Sequence, residues 1–309
     1  MSEVAAASNP RLSIVDAHVH FYDARSNRHG FLEQVDPVYE ALVGDYSALP
    51  KSYLLDTYLQ DSRSCHVEGI IWHEYLSDNP EAEARWAQHL ATASSAPIAM
   101  VALVDFLDPR LPERLATYSS LPNVSAVREH LGWDHANPLK RFAKRPDLLS
   151  DPAWQSGLRH LRDHRFKCGL EVFAPQLPDL LKVVRLYPEI GFTLAVQAWP
   201  LDLSADGFAR WKRDLRDLSR CENIVADISA IECVFGMDWT VDVVSPWILT
   251  LIELFGPDRC MFGSHLPIAN LSRGFAPLYA AYRQIVSGFS PSEQDRMFRG
   301  VAADWFGLR

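Results

Sequence analysis

The sequence is poor in the features that mark specialised proteins. Cysteine is scarce: five in 309 residues, an odd count, with no Cys-x-x-Cys pair. That argues against a disulfide framework and fits reduced, buried thiols in a cytoplasmic protein. No stretch approaches the roughly 18 consecutive apolar residues of a membrane-crossing helix. The first ten residues show no basic region followed by an apolar run, so no signal peptide is expected. Basic residues are in the minority, 30 against 39 acidic, for a net charge of −9. This balance disfavours nucleic acid and anionic membrane as partners, yet leaves room for an anionic small molecule gripped by local positive charge. Walker and dinucleotide motifs are absent, and Ser264 lacks the Gly-x-Ser-x-Gly frame of a serine-hydrolase elbow. The surface pattern marks no dimer face.

What is present is one repeated alternation. Short apolar or β-branched runs recur at residues 14–21, 67–75, 98–106, 124–131, 168–173, 192–198, 224–231 and 259–263. Segments with apolar residues three and four apart separate them, as in Leu177, Leu180, Leu181 and Val184. Asp151-Pro152 and Ser290-Pro291-Ser292-Glu293 read as helix starts, and Gly256-Pro257 as a helix stop. Strands apolar on both faces are those of a parallel sheet covered by helices. Eight strand–helix units predict an α/β fold, a (β/α)8 TIM-like barrel of a single domain. An open doubly wound sheet is the runner-up, but it usually needs a glycine-rich first turn, and strand one ends instead in Asp16-Ala17-His18-Val19-His20. Residues 1–10 are expected to form a disordered or extended tail, and 11–309 the catalytic domain. The stretch from Phe21 to Leu54, rich in Tyr, Pro and Asp, reads as an active-site loop.

His18 and His20 are two apart in a strand, so both imidazoles point to one face, at the strand end where such barrels keep their sites. Arg128 closes strand four, where a planar guanidinium suits a carboxylate or a polarised carbonyl, with His130 on the same face. Glu74 closes strand two and can position substrate or water, or make a structural hydrogen bond. Trp72 and Trp133 are candidates for an aromatic wall or for packing.

The run from Ile14 to Phe21 resembles the opening of the amidohydrolase superfamily, and more closely its lactonase-like branch of sugar-lactone and 2-pyrone-4,6-dicarboxylate lactonases. Asn137 to Leu148, Asp151 to Trp154, Gly256 to Ser264 and Gly300 to Leu308 are similar to further segments of that branch. The resemblance implies a distorted barrel that hydrolyses its substrate at the strand ends, with one divalent metal in many members and none in the pyrone-dicarboxylate lactonases. It also marks departures. His265 stands where the branch has an acid after Gly-Ser, and Val196 stands where strand six has a histidine. Gln197 follows one place later, facing the other way unless the strand is bulged. Glu171 stands for a common Gln on strand five, and Asp227 for a common Lys on strand seven.

A site assembled from these residues has His18, His20 and Glu171 as ligands of one divalent metal, zinc or manganese, with a metal-free site equally open. His265 serves as base or as fourth ligand, Glu171 as ligand or base, and Arg128 as anion grip. Glu74, Trp72, His130, Trp133 and Gln197 complete the substrate contacts. The expected reaction is hydrolysis of a small cyclic ester by activated water. Decarboxylation of an aromatic acid or C–C bond cleavage on the same fold is the alternative, and a catalytically inactive binding protein the third reading.

Overall fold

The computed structural model describes residues 11–308; the expected tail, residues 1–10, lies outside them. Eight parallel strands form a nearly closed barrel in sequence order: β1 Ser13–Val19, β2 His66–His73, β3 Ile98–Leu103, β4 Val124–His130, β5 Lys167–Glu171, β6 Phe192–Leu194, β7 Ile224–Ile228 and β8 Cys260–Phe262. Helices occupy the connections, among them Pro80–Ala93, Leu177–Leu186, Ala205–Leu218 and Val241–Phe255. The expected helix signals operate. Asp151 accepts from the Ala153 and Trp154 amides, Ser290 and Glu293 cap each other's backbone, and Gly256 ends its helix at φ 81°. No helix among the described residues is long and apolar enough to cross a membrane, and all five cysteines are free.

Two apolar clusters follow from the strand alternation. Outward side chains such as Ile14, Ile70, Met100 and Val127 pack under the helices. Inward ones, including Val15, Ala17, Ile71, Ala99, Val101 and Met261, fill the barrel floor, which Val301, Ala302 and Phe306 of the C-terminal helix cover. On β1 the alternation breaks. Val15 and Ala17 belong to the floor, yet Val19 belongs to the outer layer, and the pairing register with β2 shifts between Asp16 and Val19. That irregularity turns His18 and His20 inward, above the floor.

Closure is made by few contacts. The β1 and β8 segments meet at one bridge, Val19 to Leu266, flanked by His265 N to His18 O at 2.7 Å and His20 N to Leu266 O at 2.8 Å. The buried Asp16 carboxylate accepts from the Ser264 amide at 2.7 Å and the Tyr58 hydroxyl at 3.0 Å. Burial raises this carboxyl to about 6 against those hydrogen bonds, which pull it down. Gly263 allows the approach: a Cβ there would lie 2.5 Å from the His18 Cβ.

Strand six is shorter than the sequence suggests. The chain leaves β6 in a left-handed turn, with φ of 52°, 50°, 58° and 28° at Val196, Gln197, Ala198 and Trp199. A β-branched residue in that region is strained. Arg165, with φ of 57°, precedes β5, whereas Leu76, Ala230 and His265 have their positive φ just after strands. Above them, the 21–54 segment folds over the barrel as a two-residue ribbon, Tyr22–Asp23 with Ser52–Tyr53, and two short helices, Gly30–Glu33 and Pro37–Val43.

Candidate active site

The inward turn of β1 and the tight closure at Gly263 bring three imidazoles together. The ring centroids of His18, His20 and His265 lie 5.0, 5.3 and 5.2 Å apart, with the rings steeply tilted to one another. Each offers a ring nitrogen, and these nitrogens lie within 4.8 Å of one another. All three rings are almost fully buried.

Each ring is also held from behind through its Nδ1. His18 Nδ1 is 2.7 Å from Asp227 Oδ2, which accepts the Ser229 hydroxyl as well. His20 Nδ1 donates to the His73 carbonyl at 2.9 Å, and His265 Nδ1 lies 2.6 Å from Glu232 Oε1. The Nε2 positions face the shared space, that of His18 with Arg128 NH1 3.5 Å away. Burial, reinforced by the neighbouring imidazoles and Arg128, keeps His18 and His20 well below the usual histidine range. Neutral imidazoles fixed by a carboxylate or carbonyl are the donor set of a zinc-type centre. Three such ligands leave a coordination position open, and the chemistry of this set fits one divalent metal ion.

Arg128 projects from β4 into the same space. Its guanidinium NH2 lies 2.9 Å from His130 Nε2, and NH1 lies 3.4 Å from His73 Nδ1 and 3.5 Å from His18 Nε2. Its Nε has no partner. The cation is buried, and burial lowers its pKa against the attraction of Glu171, Glu74 and Asp227. Its nearest partners are thus imidazoles, with no carboxylate in hydrogen-bond contact. Glu171, at the end of β5, stands 3.0 Å from His130 Nδ1. Burial raises this carboxyl, but the charges of His130, Arg128 and His265 prevail and bring it to about 2, so it is a carboxylate at neutral pH.

These groups line one space, together with Tyr39, Leu42, Val43, Tyr75, Phe142 and Trp199. The structure therefore brings His18, His20, Arg128, His130, Glu171 and His265 together. It groups His265, and not Glu171, with the paired histidines.

Four expected contacts lie elsewhere. Glu74 accepts the Leu76 and Ser77 amides at 2.7 and 2.8 Å and so shapes the turn after β2. Trp72 faces the outer layer and donates to the Phe21 carbonyl at 2.9 Å. Trp133 is half-buried with the Arg141 guanidinium over its ring. Gln197, rotated by the left-handed turn, donates to the Ser229 carbonyl at 2.6 Å.

Conversely, sequence reasoning did not single out His73, whose ring stacks on His18 at 3.8 Å and whose Nε2 donates to the Ala17 carbonyl. Nor did it mark Glu232, or Asp227 as a partner of His18. His73 sits two residues before nothing comparable to a second histidine, and both carboxylates are remote in sequence from the rings they hold. Their only signal is being acids just after or at the end of strand seven.

A family model described as amidohydrolase matches residues 15–308. The protein y4mH of Sinorhizobium fredii, itself uncharacterized, is 26% identical over 297 residues, covering 96% of this chain and 98% of that one. An L-fucono-1,5-lactonase of Burkholderia ambifaria is 23% identical over 301 residues, 95% of each chain. Among solved structures, an amidohydrolase from Burkholderia multivorans with bound zinc superposes with a TM-score of 0.78 at 20% identity, covering 97% of this chain and all of that one. At that identity the structural likeness speaks for the barrel alone.

Proposed function

The chain belongs to the amidohydrolase family, and from that premise we propose that it is a hydrolase that opens a small lactone at the C-terminal end of the barrel. The observation that carries the reading is the near-equilateral triangle of His18, His20 and His265, each tied through Nδ1 so that Nε2 is left for a shared ligand. The likeness to L-fucono-1,5-lactonases supports a cyclic ester as substrate.

The three histidines would hold one divalent ion, zinc by the nature of the donors, which supplies Lewis acidity toward water and the ester carbonyl. Arg128 offers its unpartnered Nε and its two terminal nitrogens to a substrate carboxylate or to the oxyanion that develops on the ester oxygen. His130 is the proton carrier. When substrate draws Arg128 away, His130 Nε2 is free to take a proton from the attacking water. Glu171, ionised and beside Nδ1, stabilises the imidazolium that forms. His130 then returns the proton to the leaving alkoxide, and the product is a hydroxy acid. The aromatic wall excludes bulk water from this exchange.

The test is a pH-indicator assay over lactones and aromatic acids with parallel detection of carbon dioxide, on protein purified without a histidine tag and assayed for metal. Acid release on lactones, with about one equivalent of divalent metal that a His18→Ala, His20→Ala variant lacks, supports the proposal. Carbon dioxide release from aromatic acids with inert lactones would replace it with decarboxylation.

A further inference from the structure

Resting on that reading, we propose that the substrate is a lactone with an apolar or unsaturated skeleton bearing at most one anionic group, and not a polyhydroxylated sugar lactone. The inference comes from what the cavity wall offers. The lining is of two kinds. Charge and imidazole nitrogen come from the histidine triangle, Arg128, His130 and Glu171; the rest is Tyr39, Leu42, Val43, Tyr75, Phe142 and Trp199, with Leu76 and Val196 beside them. Among the described residues, no serine, threonine, asparagine, glutamine, aspartate or lysine lines this space.

The two tyrosines do not change the account. Their hydroxyls bond to each other, and the pair is buried. Tyr75 presents its ring, stacked on His20 at 4.5 Å. Phe142 lies over His130 at 5.5 Å, and Trp199 packs edge-on to Phe173 at 5.7 Å. The wall is thus mainly ring faces and aliphatic carbon, with the Trp199 indole N–H and one hydroxyl hydrogen of the tyrosine pair as its few donors, and it suits a flat or alkyl-bearing molecule.

A sugar lactone brings several hydroxyls that must leave water. On the reactive side two polar groups can be matched, the ester and one anion. Most of the remaining hydroxyls would face carbon without partners, and each buried, unpaired hydroxyl weakens binding. Besides the ion held by the histidines, Arg128 is the one cationic side chain lining this space, so a second anionic group would meet Glu171 without a guanidinium of its own.

Tyr39, Leu76 and Phe142 line both this space and a wider outer recess, which Arg28, Asp36 and Asp78 also line. An alkyl or aryl extension on a ring held at the histidines would meet Tyr39, Leu76 and Phe142 first.

The experiment compares kcat/KM for dihydrocoumarin, a 5-alkyl δ-lactone, D-glucono-1,5-lactone and L-fucono-1,5-lactone on the metal-loaded protein. The first two should exceed the sugar lactones by at least about a hundredfold, the discrimination a hydrophobic pocket exerts on one added hydroxyl. Equal or better turnover of a sugar lactone overturns the inference while leaving lactone hydrolysis standing. Binding decides the matter even if no lactone turns over, a result that would fail the hydrolase reading alone. In calorimetry, 3-(2-hydroxyphenyl)propanoate should then bind at least about tenfold more tightly than gluconate, and the reverse order overturns the inference. Phe142→Ser, at a half-buried loop position, should raise KM for dihydrocoumarin about tenfold with little change in kcat, whereas a purely structural residue would lower both activity and melting temperature.

Discussion

Glu232 Oε1 lies 2.6 Å from His265 Nδ1, so this imidazole is anchored from behind as His18 is by Asp227. At this point after strand eight the chain sets a pair: a histidine facing the cavity and a carboxylate behind it. The pair makes a separable prediction. Glu232→Gln should weaken divalent metal binding about 10- to 100-fold, as loss of a partner behind a metal-facing histidine does. Glu171→Gln should leave metal content unchanged while lowering turnover by about a hundredfold or more. Metal content after dialysis against a graded chelator, set beside kcat, checks both. Metal lost in the Glu171 variant would return that residue to the ligand set.

Arg128 is a buried cation whose hydrogen-bond neighbours are imidazole nitrogens. Arg128→Met should lower kcat/KM for a carboxylate-bearing lactone by about 10- to 100-fold, the weight of one charge-assisted hydrogen bond. Arg128→Lys should recover little of it, because a point charge does not reproduce the planar fork. The steady-state comparison includes an uncharged lactone, for which the loss should be smaller.

Gly263 is a steric prediction. An added methyl would lie 2.5 Å from the His18 Cβ and 2.8 Å from its amide nitrogen. Gly263→Ala should destabilise the fold by about 1–3 kcal/mol, as overpacking does, and lower metal occupancy in the same protein. Gly288→Ala, with nothing within 4 Å, serves as the control in thermal melts.

Glu129 carries the pH prediction. It alternates away from Arg128 and His130, and Trp154 Nε1 donates to it at 2.6 Å. Burial raises its carboxyl to about 8, with the Trp154 hydrogen bond opposing. The folded state therefore holds this proton more tightly than the unfolded chain, which releases it near its model value of 4.5. The stabilisation is complete below that lower value and is lost as pH rises through about 8, by at most about 1.4 kcal/mol per pH unit. Glu129→Gln keeps an acceptor for Trp154 and should flatten the fall in melting temperature between pH 5 and 9, to be followed by scanning calorimetry.

The barrel was legible because each strand is buried on both faces and so reads as a short apolar run between amphipathic segments. His18 and His20 were legible for a related reason, since spacing by two survives in any strand. Where the backbone departs from regular geometry, legibility ended. Gln197 is aimed by four consecutive left-handed residues, which no side-chain pattern announces. Glu74 ends a strand like a ligand but serves its own next turn. His73 gave a histidine without a visible role, because its partner His18 is 55 residues away. The carboxylates behind the histidines act across 209 residues in one case and 33 in the other. Such pairings are set by barrel closure, and only the folded chain supplies it.

The barrel has a seam, and the seam runs through the site. The first and last strands are joined by one bridge, Val19 to Leu266, and a few backbone hydrogen bonds, and three of the residues at this joint, His18, His20 and His265, are those of the imidazole triangle. An ion held there would act as a rivet between the two ends of the sheet. Loading would then slow amide exchange first at His20 and His265, and the protein's resistance to opening would be set by the same three rings that carry its chemistry.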